Sequence, residues 1–204
     1  MRSVSRRRFG QLALLAPFAL LTGHAAHASL IETILSRAHA PRHDGEVWVL
    51  VDDRESSLSV YRGNALLERF APVSLGRSGA STMRTYGGNV TPKGEFRVNR
   101  FNWESQWHIF IGIDYPTPSH ARTALESGLY TEQDYADYFA YYRRHGYPPQ
   151  QTVLGGFIGI HGLGRADPEV HASYHWTQGC VAVTDAQIER LSELIDIGTR
   201  VVIR

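Results

Sequence analysis

Cys180 is the only cysteine among 204 residues. It lies in the run HWTQGCVAVTD, between Gly179 and the apolar stretch Val181-Ala182-Val183. A lone thiol can be an inert small hydrophobe, half of an intermolecular disulfide, or a nucleophile. Nucleophilic use requires a base to hold the thiolate, donors for an oxyanion, and access. A glycine just before the cysteine leaves the backbone uncrowded, so N–H groups around Gly179 and Cys180 can face a tetrahedral intermediate. His161 is the candidate base: it ends the apolar run GGFIGIHG, is followed by Gly162, and precedes the cysteine by 19 residues. Two other chemistries use the same residue types. His161, His171, His175 and Cys180 are four side chains of the kind zinc takes, but their spacings match none of the short ligand pairs of zinc sites. A papain-like pair is disfavoured because there the cysteine precedes its histidine.

The elements that must position these residues are mainly β. Residues 46–52 and 58–62 are β-type runs around a polar turn, and Arg62-Gly63-Asn64 turns into a third strand near 65–75, an antiparallel meander. A turn at Thr91-Pro92-Lys93-Gly94 precedes a further strand, and WHIFIGIDYP supplies another, closed by Pro116. Over 119–150 the pattern becomes helical: Tyr135, Tyr138, Phe139 and Tyr142 form one stripe behind a candidate cap, Thr131. That stripe can pack on the sheet, wall a substrate groove, or do both. After the cysteine, Thr184 and Gln187 make a capping box that opens a helix to about Ile195. Gly198 ends the connection, and TRVVIR is a last strand.

The N-terminus adds a destination. Arg2, Arg6, Arg7 and Arg8 precede an apolar run from Leu12 to Leu21, then the small-x-small site Ala26-His27-Ala28. This order predicts a signal peptide over residues 1–28, and Ser5-Arg6-Arg7-Arg8-Phe9 is of twin-arginine type. The apolar run is too short for a membrane span, so no stable span is expected once the signal is removed. Four of the 21 Lys and Arg and none of the 20 Asp and Glu lie in that leader, leaving 17 against 20, a net of −3. No strongly basic surface remains to suggest nucleic acid. Residues 29–45 read as a short amphipathic helix and linker, and residues 46–204 as one domain.

The chain resembles the L,D-transpeptidase catalytic domain, or YkuD domain. The matching pieces run in order: the opening strands from Val47 to Gly76, the turn Thr91-Pro92-Lys93-Gly94-Glu95-Phe96, Ile160-His161-Gly162, Gly179-Cys180, and Gly198 to Ile203. The resemblance implies a mainly β fold, a YkuD-like β-sandwich or meander with a C-terminal helix packed on it and a helical insertion at about 119–150. It implies Cys180 as nucleophile, His161 as base, Gly162 orienting the imidazole through its carbonyl, and an oxyanion hole at Gly179 and Cys180. It implies peptidoglycan stem peptides as partners, a thioester resolved by an amine or by water, a periplasmic setting, and no metal or organic cofactor. Many members carry a branched residue and then arginine after the cysteine, and histidine before the Gly-Cys pair. Here Val181-Ala182 and Gln178 stand in those places. Those departures, the stretch from Trp103 to Pro116 and the helical insertion are similar to the YafK-type branch, which includes enzymes that cut a link between peptidoglycan and a lipoprotein. Gln178, Trp176 and Tyr174 are the candidate substrate-binding side chains.

Overall fold

A computed structural model describes residues 30–204. The expected signal peptide, 1–28, lies outside the described residues. A short helix, α1 (Leu30–Arg37), leads into the meander β1 (Val47–Asp52), β2 (Ser57–Arg62) and β3 (Ala65–Phe70). β1 reads VWVLVD without alternation because both of its faces are covered. Val49 and Val51 enter the main core, while Trp48 and Leu50 pack with Ala38 and Leu35 from the α1 side. The buried Arg200 secures this corner. It pairs with Glu46 at 2.8 Å, donates to the carbonyls of Ala38 and Ala40, and stacks its guanidinium on Trp48.

Two-residue strands β4 (Ala80–Ser81) and β5 (Thr91–Pro92) precede the 12-residue β6 (Gly94–Ser105), which returns as β7 (His108–Ile113). Helices α2 (Pro118–Glu126) and α3 (Glu132–His145) form the insertion, which divides where Gly128 takes a positive φ of 76°. Thr131 caps α3 in a full capping box with Asp134, and Gly146 in the left-handed region ends it. The aromatic stripe packs inward: Tyr138 is buried, with Tyr135, Phe139 and Tyr142 against the same core. Then follow β8 (Gly159–His161), a helix absent from the sequence reading, α4 (Pro168–Ser173), the short β9 (Val181–Ala182), α5 (Asp185–Leu194) and β10 (Arg200–Ile203). Thr184 and Gln187 form the capping box of α5.

The sheet order is β3-β2-β1-β10-β6-β7-β8-β9, with β1–β10 and β8–β9 parallel and the other pairs antiparallel. β6 belongs to both halves: its first residues pair with β10, and the rest with β7. The chain leaving β3 comes back to β9, where Ser74 and Ala182 exchange two backbone hydrogen bonds of 2.9 and 2.7 Å. The two ends of the sheet are thereby joined around one core. The fold is mostly β sheet with several helices against it, as the sequence predicts.

Candidate active site

β8 and β9 bring the histidine and the cysteine together. Their parallel register sets Ile160 beside Val181 and His161 beside Ala182. Ile160 and Val181 are fully buried in the core, so alternation turns His161, and Cys180 one diagonal step away, to the opposite face. That face is a cross-strand array. One row runs Asn102, Phe110, His161, Ala182; the next begins Arg100, Gly112, Gly159, and one step back along the β8–β9 register ends at Cys180. Arg100, Asn102, Glu104, Ser105, Gln106, Trp107, Phe110, Phe157 and Cys180 line a groove of about 360 Å³ there.

His161 is buried in an aromatic enclosure: Trp107 at 4.9 Å, Trp176 at 5.9 Å and Phe110 at 6.3 Å between ring centroids. Its Nδ1 lies 2.7 Å from the Gly162 carbonyl oxygen. A carbonyl only accepts, so Nδ1 carries the proton and the neutral ring keeps Nε2 as its basic nitrogen. Asp185, at the start of α5, fixes the following turn by accepting from the N–H groups of Leu163 and Gly164 at 2.7 and 3.0 Å. A Cβ on Gly162 would lie 2.5 Å from that carboxylate oxygen, so only glycine fits there.

The Cys180 thiol points to the Phe157 carbonyl at 3.6 Å, and no hydrogen bond joins it to His161 in this structure. Thr177, buried, fixes the turn before the cysteine: its hydroxyl donates to the Cys180 carbonyl at 2.7 Å and accepts from the Gly179 N–H at 3.0 Å. Gly179 has φ of 132°, and a Cβ there would meet the Val90 carbonyl at 2.7 Å. Beneath this turn lies Arg84, buried and without a carboxylate partner among the described residues. It donates to the carbonyls of Val90, Leu154 and Gln178, tying three loops together under Cys180.

Desolvation dominates both titrations. Burial pushes the Cys180 thiol up to about 11, against the Gly159 backbone and the charges of Arg84 and Arg100, which favour the thiolate. Burial likewise pushes His161 down to about 4, against the hydrogen bond to Gly162. At neutral pH the pair is therefore a thiol and a neutral imidazole. No cluster of three or more metal-ligating side chains occurs among the described residues.

A family profile described as the L,D-transpeptidase catalytic domain, YkuD, matches residues 46–203. The chain belongs to the YkuD family. Among solved structures, the helical cell shape determining protein Pgp2 from Campylobacter jejuni is 16% identical, with 85% of this chain and 54% of that one covered, at a TM-score of 0.53. Its K307A mutant is 17% identical, covering 83% and 52%, at a TM-score of 0.56. Bd1075 from Bdellovibrio bacteriovorus is 19% identical over 78% of this chain and 48% of that one, at a TM-score of 0.47. These likenesses are of fold, and the chain spans about half the length of the proteins just named. A search of curated proteins finds no matching sequence.

Within this YkuD domain, the predicted site residues divide into two groups. Cys180, His161, Gly162 and Gly179 converge at the β8–β9 ends, with Trp176 behind the imidazole. The Gly179 N–H, an expected oxyanion donor, is engaged by the Thr177 hydroxyl in this structure. Gln178 is exposed, with its carbonyl on Arg84, and Tyr174 is 71% exposed; neither lines the groove. Sequence reasoning missed Arg84, Arg100, Thr177 and Asp185. Thr177-x-Gly179 carries a local hydroxyl–backbone turn signal, whereas nothing near Arg84 in sequence announces loops 70 and 94 residues away.

Proposed function

We propose that this YkuD domain is a cysteine L,D-transpeptidase acting on peptidoglycan stem peptides in the periplasm. The observation that carries the reading is the placement of Cys180 one diagonal step from a histidine whose Nδ1 proton is committed to a backbone carbonyl. Nε2 takes the thiol proton as Sγ attacks the carbonyl of an L-configured centre that precedes a D-amino acid. The tetrahedral intermediate collapses with cleavage of the C–N bond, and Nε2 returns its proton to the departing amine, leaving a thioester on Cys180. An amine from a neighbouring stem then attacks the thioester and passes a proton to Nε2. An amide forms, and the thiolate leaves to be reprotonated. The backbone N–H of Cys180 is the expected oxyanion donor, joined by that of Gly179 once substrate displaces its contact with Thr177.

Hydrolysis is the second reading, with water in place of the amine. It is favoured by Val181-Ala182 and Gln178, the departures that resemble the YafK-type branch and its cleavage of lipoprotein links. Export rests on the arginine pair, apolar run and cleavage site of residues 1–28. Mass spectrometry of tetrapeptide muropeptides mixed with the protein tests the reading beside Cys180→Ala. Cysteine-dependent dimers that have lost D-alanine are expected. Trimmed monomers alone would replace transfer by hydrolysis, and identical products from both proteins would refute the proposal.

A further inference from the structure

Arg100 is placed as deliberately as the cysteine. It shares a cross-strand row with Gly112, Gly159 and, by continuing the register, Cys180. Glycine inside a strand weakens it and marks a place where something else needs the space. At Gly112 a Cβ would lie 2.7 Å from Asn99 Oδ1, 2.9 Å from the Arg100 Cγ and 3.1 Å from its Nε, so the arginine stem and the Asn99 amide share that room. At Gly159 a Cβ would lie 2.4 Å from the Ile111 carbonyl oxygen and 2.6 Å from the tip of the Phe110 ring. Gly112 leaves room for Arg100 to lie along the sheet, over the Phe110 ring that Gly159 admits. Its guanidinium stands over the Phe110 ring at 5.2 Å and faces Phe157 at 5.9 Å, the residue whose carbonyl meets the thiol.

That guanidinium forms no ion pair with any described residue, unlike Arg42, Arg69, Arg122, Arg190, Arg200 and Arg204. It is exposed, and it lines both the Cys180 groove and a second groove of about 750 Å³ beside Tyr141, Tyr147 and Gln150. A planar fork of donors placed over an aromatic ring at a groove junction suits a planar carboxylate. The groove's own carboxylate, Glu104, lies four residues farther along β6 and forms no ion pair with it.

We infer that Arg100 anchors a carboxylate of the acyl donor, a peptide with a free carboxylate close to the amide that Cys180 attacks. The inference takes the donor from the proposed function, but the anion site itself can be probed without peptidoglycan. Because the chain holds one cysteine, alkylation reports on Cys180 alone. Iodoacetate and iodoacetamide both form an S–C bond and release iodide, and they differ in whether they carry a carboxylate. The ratio of their rate constants cancels any general change in thiolate fraction. Arg100→Gln should lower the iodoacetate-to-iodoacetamide ratio about five-fold. A ratio equal to that of the unaltered protein overturns the inference. With muropeptides, the same variant should lose its preference for a donor ending in a free carboxylate over the corresponding amide. A lowered alkylation ratio in a protein that leaves muropeptides unchanged would keep the anion site and remove the peptidoglycan reading. Muropeptide turnover with an unchanged ratio would do the reverse.

Discussion

Two arginines separate the halves of the sheet. Arg200, under β1 and β10, is buried against the Glu46 carboxylate, two backbone carbonyls and the face of Trp48. Arg84, under the loops beside β8 and β9, is buried against three carbonyls and no carboxylate among the described residues. The same contrast runs through their surroundings. Around the meander, strands are six residues long, and Asp52, Asp53 and Glu55 are matched by Arg204, Lys93 and Arg69. On the other side β8 and β9 are three and two residues long, and Phe157 and His108 hold positive φ, as Ser56 does in the β1–β2 turn. Trp176 Nε1 is buried there without a hydrogen-bond partner. Unmatched polar groups and strained backbone persist only where surrounding structure holds them. One half of the sheet is built for stability, and the other is held by it.

The largest test of this division is Cys180→Ala. Turnover of muropeptides should be abolished, with the thermal midpoint kept within a few degrees because a half-buried side chain loses a single atom. A variant that unfolds instead would make the cysteine part of the framework. Next, His161→Gln should lower turnover about a hundredfold or more by removing the base; alkylation kinetics across pH that match the unaltered protein would rule His161 out. The arginines come third. Arg200→Ala should destabilise by about 3 kcal/mol, because Glu46 is left largely buried without its cation, yet leave iodoacetamide reactivity of the folded protein nearly intact. Arg84→Met should cost about 2 kcal/mol for the carbonyls it abandons and slow Cys180 alkylation about tenfold as the three loops loosen. Equal effects of both variants on denaturation midpoint and alkylation would erase the contrast.

The last test is a pH dependence. Burial lowers His161 and His120 to about 4, below the ordinary value of 6.5, so the unfolded chain binds more protons than the folded one between those values. Their contribution is complete above pH 6.5 and is lost as pH falls towards 4, on the order of 2 kcal/mol for each histidine. Denaturation curves at pH 7 and pH 4.5 should show this loss, reduced in His161→Gln. Cys180 acts at the alkaline end: its thiol is held up to about 11, so stability declines above the ordinary value of 9, and Cys180→Ala should flatten that decline.

Elements whose cause is local were legible beforehand. Thr131 and Thr184 begin helices because their hydroxyls reach N–H groups three residues on, an arrangement written within four residues. The runs at β1, β2 and β7 announce themselves by β-branched and apolar content. The helix α4 was missed because it is six residues long and its cap, Asp167, stands before a proline in a polar stretch. Tyr174 and Gln178 lie close to Cys180 in sequence, but the Thr177 turn and Arg84 direct the chain so that neither lines the groove.

The sequence by itself determined the mainly β class, the two capped helices and the residue types able to act as nucleophile and base. Each of these is a property of a short segment. Tertiary structure decided which face the pair occupies, because the β8–β9 register turns His161 and Cys180 together away from a core that takes Ile160 and Val181. It alone decided that Arg84 braces the nucleophile and that Arg100 lies along the row towards it. Contacts between residues tens of positions apart depend on strand order and register, and those are set by how the whole chain closes its core.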